Sequence, residues 1–145
     1  MLMYIKICYH QNVGYGLQSI TTIPKGTKIA YYMGTIWTTK QAKENGKHKY
    51  SHFLTVPGTG CSIDGSLEHL FDESSPPLDQ TFLVPCPLMS LTNSSFEYKE
   101  ANCKMMIIQE SRMYSDGNWL DKTVYLVAIK NIEPFEDLIW NYTYM

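Results

Sequence analysis

The chain lacks the cysteine spacing that grips a metal. Its four cysteines, Cys8, Cys61, Cys86 and Cys103, are scattered, and no C-x-x-C occurs. A zinc cluster of the finger or ribbon kind is therefore not expected, and no metal site is predicted. Charge is also sparse: charged residues make up 18% of the sequence and the formal net charge is −2. Such a chain has no global field to draw it to nucleic acid or an anionic membrane, so direct nucleic-acid binding is not expected. No apolar run approaches the roughly 18 residues of a membrane span. The opening MLMYIKICYH has neither the apolar length nor the small-residue cleavage site of a secretory leader. The expectation is an intracellular protein with reduced thiols. In that setting Asn93-Ser94-Ser95 and Asn141-Tyr142-Thr143 do not count as glycosylation sites. Internal repeats and low-complexity segments are missing as well.

What is present suits one β-rich domain over residues 1–145. The 145 residues are 44% hydrophobic, enough to bury a core, and include 11 tyrosines. Tyr4 to Tyr9 alternates as a strand. Gln11 to Gly16 reads as a loop in which Gly14 and Gly16 bracket Tyr15 in a tight turn. Leu17 to Thr22 and Thr27 to Tyr32 read as strands joined by Pro24-Lys25-Gly26 in a hairpin. Thr38 and Gln41 have the spacing of a capping box, predicting two helical turns to Glu44 that Asn45-Gly46 ends. Tyr50 to Val56, Cys61 to Asp64 and Phe82 to Val84 read as extended, and Leu88 to Thr92 as one helical turn. Lys104 to Glu110 and Val124 to Lys130 are the clearest strands, flanking a loop at Asp116-Gly117. Taken alone, the closing stretch from Thr123 to Met145 reads as an edge strand closing a sheet, with Tyr142 half buried. A turn at Asn131 and Pro134 leads to a second apolar run, Leu138 to Trp140.

Three separated motifs give the chain a family resemblance. The first is Gly14-Tyr15-Gly16-Leu17, followed by Ile23-Pro24-Lys25-Gly26 and Tyr32-Met33-Gly34. The second is Asn93-Ser94-Ser95 and then Asn102-Cys103. The third is Phe135-Glu136-Asp137-Leu138 and then Asn141-Tyr142. In order and wide spacing they resemble the SET-domain protein lysine methyltransferases, over about Ile7 to Tyr144. The resemblance implies a mainly β fold of several small sheets, with a C-terminal pseudoknot and little helix. It implies a minimal core, without the Cys-rich zinc flanks of many relatives.

The resemblance also implies an activity: methyl transfer from S-adenosyl-L-methionine to a lysine side chain on a protein, with histone tails the family's commonest substrates. A histone substrate would place the protein in the nucleus. Tyr142 falls on the family's catalytic tyrosine, and Tyr32 where some members carry a second tyrosine. Gly14, Tyr15, Gly16, Asn93, Ser94 and Tyr142 fall on cofactor-binding positions. Tyr32, Met105 and Trp140 fall on positions lining the lysine channel. Neither Met105 nor Trp140 carries a hydroxyl to anchor a water beside the lysine nitrogen, so a di- or trimethyl product is expected.

The sequence departs from the family in five places, one of them Ala101, where a Pro usually precedes the second Asn. Ser94 replaces the usual His. Phe135 replaces a Gly, costing turn freedom and adding an apolar contact. Asn141 replaces an Asp, and residues within 96–100 lengthen the loop before Asn102. These departures leave open a catalytically inactive SET-like module that binds a peptide or partner. Three other constellations are weaker. His48 and His52 are four apart, but in a segment that reads as a strand. Cys103 has no His after it to serve as a base. Asp72, Glu73 and Asp79 form an acidic loop suited to a basic peptide or to solvent.

Overall fold

The structure is a computed structural model and describes residues 1–11, 14–44, 53–66, 76–94 and 100–141. In chain order the first elements are β1 (Tyr4–His10), β2 (Gly14–Ser19), β3 (Lys28–Tyr31), β4 (Thr35–Thr38) and the helix α1 (Thr39–Glu44). Then come β5 (Phe53–Val56), β6 (Cys61–Asp64), β7 (Thr81–Leu83), a 3-10 turn (Met89–Leu91) and β8 (Asn93–Ser94). The last five strands are β9 (Cys103–Ile108), β10 (Arg112–Met113), β11 (Trp119–Leu120), β12 (Thr123–Ala128) and β13 (Ile139–Trp140). The fold is mainly β, with several small sheets and little helix, as the resemblance implied. The expected helix end at Asn45-Gly46, the residues 50–52, His48 and His52, Asp72 and Glu73, the insertion within 96–99, and Tyr142 lie outside the described residues.

One sheet runs β2-β1-β7, a second β3-β12-β9-β13-β8 and a third β4-β6-β5; β10 and β11 form a two-stranded ribbon. All three larger sheets feed one core, with Ile5 and Leu17 from the first, Ile29 and Leu126 from the second, and Leu54 and Ile63 from the third. Strand β1 shows how pattern becomes packing. Ile5 and Ile7 are buried on one face, while Tyr4, Lys6, Cys8 and His10 share the other. The helix begins with the capping box that the sequence predicts. The Thr38 N–H donates to Gln41 Oε1 at 3.2 Å, and the Gln41 N–H donates to Thr38 Oγ1 at 3.1 Å.

Three expectations are corrected. Gly14-Tyr15-Gly16 is not a turn; it is the start of β2, paired with β1 through His10↔Gly14, Tyr9↔Tyr15 and Cys8↔Gly16. The strands on either side of Pro24-Gly26 do not form a hairpin, because β2 pairs with β1 and β3 pairs with β12. Strand β12 is not an edge. It lies between β3 and β9, and all six of its residues are buried. Burial on both faces explains its unbroken apolar run, TVYLVA.

Candidate active site

The closing segment positions the site. β13 runs parallel to both of its neighbours, with Ile139 opposite Asn93, and Trp140 opposite both Ser94 and Cys103. Two strands close in sequence, β8 and β9, are thus held apart by a third from 45 residues later, counting Ser94 to Ile139. Just before it, residues 135–138 run along the free edge of β2. The Phe135 N–H donates to the Ser19 carbonyl, and the Leu138 N–H to the Leu17 carbonyl, each at 2.9 Å. One short segment therefore ties the first sheet to the second.

Asn102 is the clamp for that segment, a role the sequence did not disclose. Its amide Nδ2 donates to the Asp137 carbonyl at 2.7 Å, and its Oδ1 accepts from the Ile139 N–H at 2.8 Å. The residue is 4% exposed. A carboxamide offers a donor and an acceptor side by side, which a strand edge can take as it would a peptide group. The Asn-Cys pair was the only sequence signal for it.

The residues expected to hold a cofactor meet in part. A Cβ built on Gly16 would fall on the Asn93 side-chain amide, so the bare Cα of Gly16 is what lets Asn93 lie over β2. The Asn93 amide meets no protein hydrogen-bond partner among the described residues, leaving its donors and acceptor for a ligand. Ser94 is next to it on β8 and exposed. Gly14 has φ +98 and open space where a side chain would stand. The Tyr15 ring is not part of this group. Alternation sends it to the other side of β2, where it packs on Tyr9 with ring centroids 5.1 Å apart.

The residues expected to line a lysine channel share the core side of the second sheet. Trp140 pairs with Cys103, and Met105 lies two residues along the same strand, so both project from one face. Trp140 is 4% exposed and Met105 half-buried, both packed in the core cluster. Tyr32 is also buried there, and its N–H donates to the Val124 carbonyl at 2.9 Å. Its ring lies against Gly65, where a Cβ would come within 2.5 Å of Tyr32 Cε1. Cys103 is no nucleophile: burial pushes its thiol up to about 12, so it stays neutral. Phe135 corrects another expectation. It is 67% exposed and stands outside the core cluster, and it takes φ +69, the left-handed region that a glycine tolerates.

The SET-domain family model matches residues 14–143, and the chain belongs to that family. Its members are generally protein-lysine methyltransferases. Solved structures agree on the fold. A crystal structure of ATXR5 in complex with a mono-methylated histone H3.1 is 19% identical, with a TM-score of 0.60, covering 96% of this chain and 56% of that one. The ATXR5 SET domain in complex with a di-methylated histone H3 is 20% identical, also at 0.60, covering 96% and 57%. The chain spans little more than half the length of these two relatives. A search of curated protein sequences returns no match.

Proposed function

We propose that the protein is a protein-lysine N-methyltransferase that uses S-adenosyl-L-methionine and acts on a basic protein tail, a histone tail first among them. The observation that carries the reading is the meeting of Asn93 with the bare Cα of Gly16. It leaves a polar amide over β2 at a residue that has no side chain of its own, a polar group placed where a small ligand could meet it. S-adenosyl-L-methionine supplies an electrophilic methyl group on a sulfonium, already a good leaving group. Gly14, Gly16, Asn93 and Ser94, with the backbone of Tyr15, hold it. Tyr32, Met105 and Trp140 give the lysine stem apolar walls. Such walls disfavour the ammonium form and lower the lysine pKa from its free value of about 10.4, so the nitrogen presents its lone pair. The Tyr142 phenol oxygen orients that nitrogen towards the methyl group. Positioning of this kind supplies much of the rate when the leaving group is already good.

Supporting the histone assignment are the two ATXR5 structures, each in complex with histone H3. A histone substrate would place the protein in the nucleus. The deciding experiment incubates the chain with labelled S-adenosyl-L-methionine and a panel of histone and other basic peptides, beside calorimetry with S-adenosylhomocysteine. Label on a lysine, with saturable binding, supports the proposal. Saturable binding with no labelled peptide would make the protein a peptide-binding module of the same fold. No binding at all would remove the cofactor assignment.

A further inference from the structure

Three side chains that carry no role in the methyl transfer proposed above converge over β2, on the face that also carries the Asn93 amide. Cys8 and His10 are two apart on β1 and so share its outward face. Asp137 comes from the closing segment, bridged to Gln18 on the far side of β2. To meet, the side chains must cross β2, and they cross where β2 carries Gly14 and Gly16, opposite His10 and Cys8. Neither glycine puts a side chain of its own in the way, although the Asn93 amide lies over Gly16 on the same face.

The geometry rules out a catalytic relay. A Cys-His-Asp relay needs the two ring nitrogens to serve different partners. Here Cys8 Sγ and Asp137 Oδ1 both face His10 Nε2, at 3.7 and 3.0 Å. The third edge, Cys8 Sγ to Asp137 Oδ1, is 3.9 Å. Three donor atoms gathered on one point is the arrangement a cation needs. Tetrahedral zinc, with Zn–S of about 2.3 Å and Zn–N and Zn–O of about 2.1 Å, gives ligand–ligand edges of about 3.6, 3.6 and 3.4 Å. The observed triangle of 3.7, 3.9 and 3.0 Å fits that face with small side-chain shifts.

We propose that Cys8, His10 and Asp137 bind one zinc ion, which staples the first sheet to the segment leading into β13. The thiol, imidazole and carboxylate set suits a borderline-soft divalent ion better than calcium or magnesium, which take oxygen ligands. The Gln18 Nε2 donates to the same Asp137 oxygen at 3.4 Å and orients it from outside the ligand set. His10 and Asp137 side chains are 41% and 34% exposed, so the fourth position faces solvent and takes water. Without metal the Cys8 thiol keeps its proton, because burial and then the Asp137 carboxylate raise its pKa. Coordination expels that proton to solvent.

The test strips the purified chain with chelator and titrates it with Co2+ and then with Zn2+ against a chromophoric indicator. Expected are one equivalent of metal per chain, a near-ultraviolet thiolate-to-cobalt band that zinc abolishes, and a rise in melting temperature with zinc. Cys8→Ser should lose the band, and His10→Gln should weaken zinc by more than about a hundredfold, beyond the cost of losing an outer partner. Cys61→Ser should change none of these readings. His10 is a partly exposed side chain, so its variant reports on the site even where Cys8→Ser fails to fold. Failure to bind one equivalent at micromolar zinc overturns the proposal. So does a cobalt band or zinc affinity that His10→Gln leaves unaltered.

Discussion

Asn102 and Ile139 bond to each other twice. The Ile139 N–H donates to Asn102 Oδ1 at 2.8 Å, and the Asn102 N–H donates to the Ile139 carbonyl at 3.0 Å. The side chain thus acts as one more rung of the sheet. Asn102→Ala removes that rung and the bond to Asp137 and leaves buried backbone groups unpaired. It should cost about 2–4 kcal/mol in denaturant unfolding. A loss under about 0.5 kcal/mol would mean that water replaces the amide.

Gly16 and Asn93 act at a single contact, so their variants should not add. Gly16→Ala drives a methyl into the Asn93 amide, and Asn93→Ala deletes the amide. Each should weaken S-adenosylhomocysteine by about 1–3 kcal/mol, and the double variant by little more than the worse single one. Calorimetry that leaves both singles at the native affinity would move the cofactor elsewhere.

Tyr142→Phe removes only a hydroxyl. If the phenol acts on the nitrogen in the transition state, as proposed, methyl transfer should fall at least about tenfold while cofactor affinity stays within about threefold. Retained activity would exclude Tyr142 as the catalytic group. With the native protein and a substrate peptide, mass spectrometry at long reaction times should find di- or trimethyl lysine under the proposed function, since neither Trp140 nor Met105 has a hydroxyl to hold a blocking water. A product that stops at one methyl would mean that the bulk of Trp140 crowds the channel.

Phe135 holds a left-handed backbone with φ +69 while 67% exposed. Phe135→Gly should therefore stabilise. Relief of about 1–2 kcal/mol of backbone strain outweighs about 0.5–1 kcal/mol of added chain entropy. A gain of about 0.5–1 kcal/mol is expected, read from the unfolding midpoint at unchanged slope. A loss would show that the ring makes a contact worth more than the strain.

Alkaline pH should destabilise the fold. Burial raises the thiols of Cys86 and Cys103 from 9.0 to about 12. Below about pH 9 both states keep these protons and stability is flat. Between about 9 and 12 only the unfolded chain releases them, so stability falls by up to about 1.4 kcal/mol per pH unit for each thiol. Cys86→Ala should flatten the slope of stability against pH in that window. An unchanged slope would acquit the thiol.

Local structure was readable wherever local chemistry decides it. The Thr38–Gln41 capping box, the 3-10 turn near Leu88–Thr92 and the strands β1, β9 and β12 follow from pattern and propensity. Pairing was not readable, since a strand does not name its partner. The Pro24-Gly26 turn looked like a hairpin only because its flanks are adjacent in sequence, whereas β3 is taken by β12, far along the chain. The same limit hid the converging triad: Cys8 and His10 are neighbours on β1, but Asp137 is 127 residues beyond His10. The motif residues fared better in part, Gly16 with Asn93 and Trp140 with Met105, because the family's motifs mark positions that long-range pairing brings together.

The late arrival of β13 has a consequence for synthesis. Among the described residues β8 pairs only with β13, so Asn93 waits for Ile139 before its strand has a partner. Contacts this distant in sequence form slowly, and only after the chain between them exists. A nascent chain still on the ribosome can assemble β1, β2 and the β4-β6-β5 sheet yet not the proposed pocket. Formation of the proposed pocket would wait until β13 has been made and has paired with β8 and β9.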